Sequence, residues 1–145
     1  MQKKLLFFTA ALLLVLCCSA CSQPRCSKEA AARILERNGE RLAALAQRIM
    51  ETGTVPEEPA IPGVERVSYL PPGWVEFCTA TRGPLPGSSY CGFYYSPGND
   101  PLGYQGTKME LATKGPGWTW EEPGGDNRYY TEALQDQWFY YSISF

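Results

Sequence analysis

The sequence predicts an α+β protein, with an N-terminal helical arm followed by a small antiparallel β-sheet domain closed by one disulfide. Three observations lead there. Residues 27–53 are free of aromatics and rich in Ala, Leu, Arg and Glu, all good helix formers. From Val64 onward the chain consists of short apolar runs cut by Gly and Pro, the pattern of strands and tight turns. Of the 19 aromatic residues, 17 lie between Tyr69 and Phe145, and only Phe7 and Phe8 fall outside that stretch.

The chain opens on "MQKKLLFFTAALLLVLCCSAC". Lys3 and Lys4 precede an uncharged run that begins at Leu5, and small residues follow, which is the layout of a secretory signal. An apolar run ending at Ala20 is shorter than the roughly 20 residues that a membrane-spanning helix needs. Cys18-x-x-Cys21 has the spacing of half a zinc site, but the chain contains no His to complete it. Ser19 and Ala20 put small residues directly before Cys21. This segment resembles the lipobox of bacterial lipoprotein precursors, although the place where that family prefers Leu is occupied by Cys18. The resemblance implies that residues 1–20 are removed, that Cys21 carries a diacylglyceryl group, and that the protein is anchored to a membrane of the cell envelope. Ser22, rather than Asp, then points to the outer membrane, facing the periplasm.

The expected mature chain, residues 21–145, holds 11 basic and 15 acidic residues. Residues 21–52 carry a net +2 and residues 53–145 a net −6, so a mildly basic arm precedes an acidic domain. A basic membrane-proximal segment suits an anionic lipid surface. The acidic domain argues against nucleic acid as a partner.

The arm, residues 21–53, reads as an amphipathic helix from the N-cap Ser27 to the C-cap Gly53. Ala31, Leu35, Leu42, Leu45 and Ile49 form its apolar stripe, with Asn38 filling the gap. Asn38-Gly39 is a point where the helix is expected to bend or break, because Gly in a helix interior costs up to ~1 kcal/mol relative to Ala. Residues 54–63, "TVPEEPAIPG", form a semi-rigid Pro-rich linker.

The domain, residues 64–145, predicts seven strands: Val64–Leu70, Trp74–Ala80, Ser89–Ser96, Thr107–Ala112, Gly117–Glu121, Asn127–Thr131 and Gln137–Phe145. "LPPG", "RGPLPG", "SPGNDPLG", "KGPG" and "EPGGDN" supply the turns. The terminal "WFYYSISF" resembles the closing strand of outer-membrane β-barrels, but the strands are short and Gly and Pro too frequent for a barrel. Cys78 and Cys91 fall in neighbouring strands, and in an oxidising envelope they are expected to pair. Closing that loop would constrain the unfolded chain by about 3 kcal/mol. Cys26 is then left as the odd thiol.

No catalytic constellation stands out, and neither a metal nor a cofactor is expected. Ser and Cys nucleophiles usually need a His base, which is missing. Glu121, Glu122 and Asp126, beside Trp118 and Trp120, form the best acidic cluster for a small hydrolase. The aromatics carry more weight. Seventeen of them exceed what one small core can bury, and pairs such as Tyr94-Tyr95 and Tyr129-Tyr130 place members on both faces of a sheet. The expected binding face comprises Trp118, Trp120, Tyr94, Tyr129 and Tyr140. Such a face suits an envelope protein partner, or alternatively a glycan. The competing interpretation is that the aromatics simply cover a thin sheet and pack beneath the helix. The function expected is a non-enzymatic, lipid-anchored binding or accessory role. The alternatives are a small envelope enzyme and a purely structural envelope component.

Overall fold

The Ser27 side chain accepts a hydrogen bond from the Ala30 amide at 3.1 Å, and this cap starts the helix α1, Lys28–Thr52. Gly53, in the left-handed conformation (φ 67°), stops it by donating its amide to the Ile49 carbonyl. The computed structural model describes residues 26–145 apart from 72, 85 and 86. The proposed signal and Cys21 therefore lie outside the described residues. Contrary to the expected bend, α1 runs unbroken through Asn38-Gly39. Leu35 and Leu42, on either side, are both buried against the sheet, and fully burying such a side chain is worth about 1.5–3 kcal/mol. Two such anchors outweigh the propensity loss at one Gly. Asn38 Nδ2 also donates to the Ile34 carbonyl at 2.9 Å instead of competing for its own backbone.

Seven strands follow: β1 Arg66–Leu70, β2 Trp74–Arg82, β3 Ser89–Tyr95, β4 Ala112–Lys114, β5 Gly117–Glu121, β6 Arg128–Gln135 and β7 Trp138–Ser144. They form one antiparallel sheet in the order β1-β2-β3-β7-β6-β5-β4. The expected strand over Thr107–Ala112 is corrected. Only Ala112 belongs to a strand; before it the chain makes a 3-10 turn at Tyr104–Gly106. Met109 and Leu111 pack over one face of the sheet instead of extending its edge.

Both faces are covered, so the molecule has two cores. On the first face, Ala31, Leu35, Leu42, Ala46 and Ile49 of α1 pack on Val75, Phe77, Phe93, Tyr95, Trp138 and Tyr140. Phe77 and Phe93 stack there, ring centres 5.3 Å apart. On the second face, Trp74, Tyr94, Tyr129, Phe139, Tyr141 and Ile143 lie under the segment carrying Leu102, Tyr104, Met109 and Leu111. Trp74 and Tyr94 stack at 4.2 Å, and Tyr94 and Phe139 at 5.3 Å. An antiparallel sheet with both faces buried reads as continuous apolar runs, which is why "FYY" and "WFYY" hold large residues at consecutive positions. At the start of the helix, Lys28 pairs with Glu132 of β6, and the Tyr130 hydroxyl donates to the other oxygen of Glu132 at 2.8 Å.

The disulfide differs from expectation. Cys26 pairs with Cys91, with Cα atoms 5.5 Å apart, and Cys78 is a free, buried thiol. The cause is a β-bulge. Arg82 to Ala80 pair with Ser89 to Cys91 in simple register, and then Cys78 pairs with Gly92, leaving Thr79 as the extra residue. One inserted residue inverts the facing of everything beyond it. Cys91 therefore faces α1 while Cys78 faces the opposite core, so the two cannot be joined. Cys26, one residue before the helix cap, is the cysteine that reaches Cys91. Gly92 leaves room for this close pairing, since a Cβ there would sit 2.1 Å from the Phe77 carbonyl oxygen.

Candidate functional site

The five aromatics expected to form one binding face do not share a surface. Tyr94 and Tyr129 are buried in the second core, where their hydroxyls hold the covering segment down. The Leu102 amide donates to Tyr94 Oη at 2.9 Å, and Tyr129 Oη donates to the Leu102 carbonyl at 2.8 Å. Burial pushes both phenols above their usual range. Tyr140 is buried on the other face, beneath the helix. These three are structural, which corrects the expectation of a single exposed aromatic face. The aromatic count exceeded one core because the sheet has two.

Trp118 and Trp120 remain. They sit on β5, opposite Thr131 and Tyr129 of β6, and share the second face. Both are only partly buried, packed on the margin of that core, with Trp118 6.4 Å from Phe139 between ring centres. Beside them lies β4, whose three residues are all exposed and which ends the sheet. Among the described residues, no strand pairs with its outer edge.

The acidic cluster does not converge. Glu121 ends β5 opposite Arg128, while Glu122 and Asp126 flank the β5–β6 turn, where Glu122 donates its amide to Asn127 and accepts from Gly125 through its carbonyl. Glu121 and Asp126 are exposed. Glu121 borders a groove with Arg128, Tyr130 and Tyr140, while Glu122 and Asp126 sit at the hairpin turn outside it.

Sequence reasoning missed a different polar group. Glu76, on β2, is fully buried among Trp74, Tyr141 and Arg66. Trp74 Nε1 donates to its Oε2 at 3.3 Å, and Arg66 Nη2 lies 3.6 Å from Oε1. Neither Oε1 nor the Tyr141 hydroxyl makes a hydrogen bond of ordinary geometry. Burial raises the carboxyl pKa, opposed by the neighbouring Tyr141, Arg66 and Trp74. Cys78, on the same face, is also raised, first by burial and then by the charge of Glu76. The signal was present in "WVEFCTA", a single acid inside a run otherwise apolar or small. Knowing that β2 is buried on both faces was needed to see it.

Shallow grooves flank the helix. Arg41, Arg48, Pro56 and Ile61 line one of about 440 Å³, and Arg33, Arg37, Val64 and Glu65 line another of about 450 Å³. A third, apolar and about 260 Å³, lies over Trp74 between Leu70 and Pro97. No three His, Cys, Asp or Glu residues among those described are placed to hold a metal ion. No described helix is long and apolar enough to cross a membrane. Comparisons with protein-family models, with curated proteins and with solved structures find no match to this chain.

Proposed function

We propose that the protein is a lipid-anchored binding or accessory component of the bacterial cell envelope, non-enzymatic, held to the outer membrane through Cys21 and engaging a protein partner. The observation that carries this reading is the pairing of Trp118 and Trp120 with the open edge of β4. Trp brings large contact area together with a polar N–H, and partly buried Trp at a sheet margin suits an interface anchor. An unpaired edge strand offers backbone donors and acceptors to an incoming chain. A partner strand laid along β4 would meet both. The anchor fits the same arrangement, because Cys21 precedes Cys26, and hence the disulfide to β3, by only five residues. At ~3.3–3.6 Å per residue, that tether spans less than about 20 Å.

The test is crosslinking of the membrane-extracted protein in intact envelopes, comparing parent, W118A/W120A and E121Q/E122Q/D126N chains. Loss of one defined crosslinked band in the Trp variant alone supports the reading. Loss only in the carboxamide variant favours the enzyme alternative, and retention by isolated peptidoglycan in place of a protein band favours a glycan. Intact mass tests the anchor separately, with residues 21–145 plus lipid expected.

A further inference from the structure

Three cysteines lie within the described residues, in the chain order 26, 78, 91, and the native bond joins the first to the third. The sequence separation is 65 for the native pair and 13 for Cys78 and Cys91. Loop-closure entropy scales as about (3/2)RT ln n, which favours first contact of the shorter pair by roughly tenfold. The β2–β3 hairpin adds to that bias. Arg82, Thr81 and Ala80 pair with Ser89, Tyr90 and Cys91 without a break. Continued in that register, the hairpin would place Cys78 on the same face as Cys91 as its diagonal neighbour, about 7–8 Å away, a gap that a disulfide closes while the strands are still incompletely paired. Only the Thr79 bulge turns Cys78 to the other face.

We infer that Cys78 is a transient disulfide partner in folding, so that the native Cys26–Cys91 bond arises by exchange from a Cys78–Cys91 precursor and the chain is a substrate for thiol–disulfide isomerisation. A disulfide-bearing oxidant first accepts two electrons from the Cys78 and Cys91 thiols and is reduced to its own thiols. The Cys26 thiolate then attacks Cys91 Sγ. The Cys26–Cys91 bond forms, the Cys78–Cys91 bond breaks, and Cys78 leaves as a thiolate that takes up one proton. This second step consumes no oxidant. Docking of α1 brings Cys26 to the face where Cys91 remains, and freeing Cys78 lets the bulge form and turns its thiol into the second core. There it lies buried beside Glu76, 3.7 Å from the Ala80 carbonyl and 3.9 Å from Thr81 Oγ1. Burial and the neighbouring carboxylate disfavour its thiolate, which closes the return path.

The test uses the full chain in mild detergent with Cys17, Cys18 and Cys21 changed to Ser, so that only three cysteines can pair. The reduced, denatured chain is refolded with oxidised and reduced glutathione, quenched in acid at intervals, alkylated and mapped by peptide mass. The expected result is an early excess of Cys78–Cys91 over Cys26–Cys91, approaching tenfold, that converts to Cys26–Cys91 with no change in free-thiol number. In C26S the Cys78–Cys91 bond should persist, and in C78S the native bond should form in one phase. Cys26–Cys91 equal to or exceeding Cys78–Cys91 from the first time point would overturn the inference, as would C26S ending with both thiols free.

Discussion

Glu76 concentrates the residue-scale energetics, because it is an acid in the core with one oxygen lacking a hydrogen bond. Its folded-state pKa stands above the ordinary value of 4.5. Above that ordinary value the unfolded chain releases the proton while the folded chain still holds it. This group's contribution to stability therefore falls as pH rises from about 4.5 through the raised pKa. In E76Q that dependence should vanish, and the amide keeps an acceptor for Trp74. Melting temperatures between pH 4.5 and 8 should show E76Q gaining on the parent as pH rises; a constant difference would show that Glu76 does not titrate in this window. Trp118 and Trp120 behave differently, since each is only partly buried. W118A/W120A should lose less than the 3–5 kcal/mol typical of a fully buried aromatic, measured by urea denaturation, while losing the crosslink to the proposed partner. Residue types were legible in the sequence, and Trp118 and Trp120 were rightly placed together on one strand. Exposure was not legible, because Tyr94 and Tyr140 read the same whether their strand has one covered face or two.

Among elements, α1 shows how packing overrides propensity. Gly39 lies in the helix interior with nothing within 4 Å of where a Cβ would be. G39A should therefore raise stability by up to ~1 kcal/mol in denaturant melts, with no change in the sheet. L42A, at a fully buried site, should lose about 2–5 kcal/mol. The helix ends were readable because Ser27 and Gly53 carry their capping chemistry in the sequence. Most strands were readable within a few residues because Gly and Pro punctuate them. The exceptions have physical causes. Met109 and Leu111 alternate like a strand yet cover a core, and the Thr79 bulge leaves no residue-type signature, so the pairing of Cys78 with Cys91 looked sound. Removing the true bond in C26S/C78S, where no second pairing can replace it, opens a 65-residue loop, and the entropy model gives a loss of about 4 kcal/mol. C78S spares the bond and should lose far less, and urea melts of the two variants separate the pairings directly.

At the scale of the whole molecule, the α+β class and the order of helix before sheet were legible from composition alone, because the aromatic-free and aromatic-dense parts differ so sharply. That the parts fuse into one body was not, since nothing in the linker says that α1 folds back over β2, β3 and β7. The disulfide makes this union covalent at an interior strand, third of seven across the sheet. This gives the chain a particular mechanical character. Tension drawn between the N-terminus and Phe145 passes through the sulfur bridge from Cys26 to Cys91, and everything between those residues is shielded from load. Pulled in an optical trap, the oxidised molecule can pay out, among the described residues, only 92–145, a contour gain of about 190 Å at full extension. With reductant present, residues 27–91 are released as well and the gain more than doubles. Wired in this way, the chain transmits a tug on Cys26 straight into the sheet that carries Trp118 and Trp120, without first unravelling its helix.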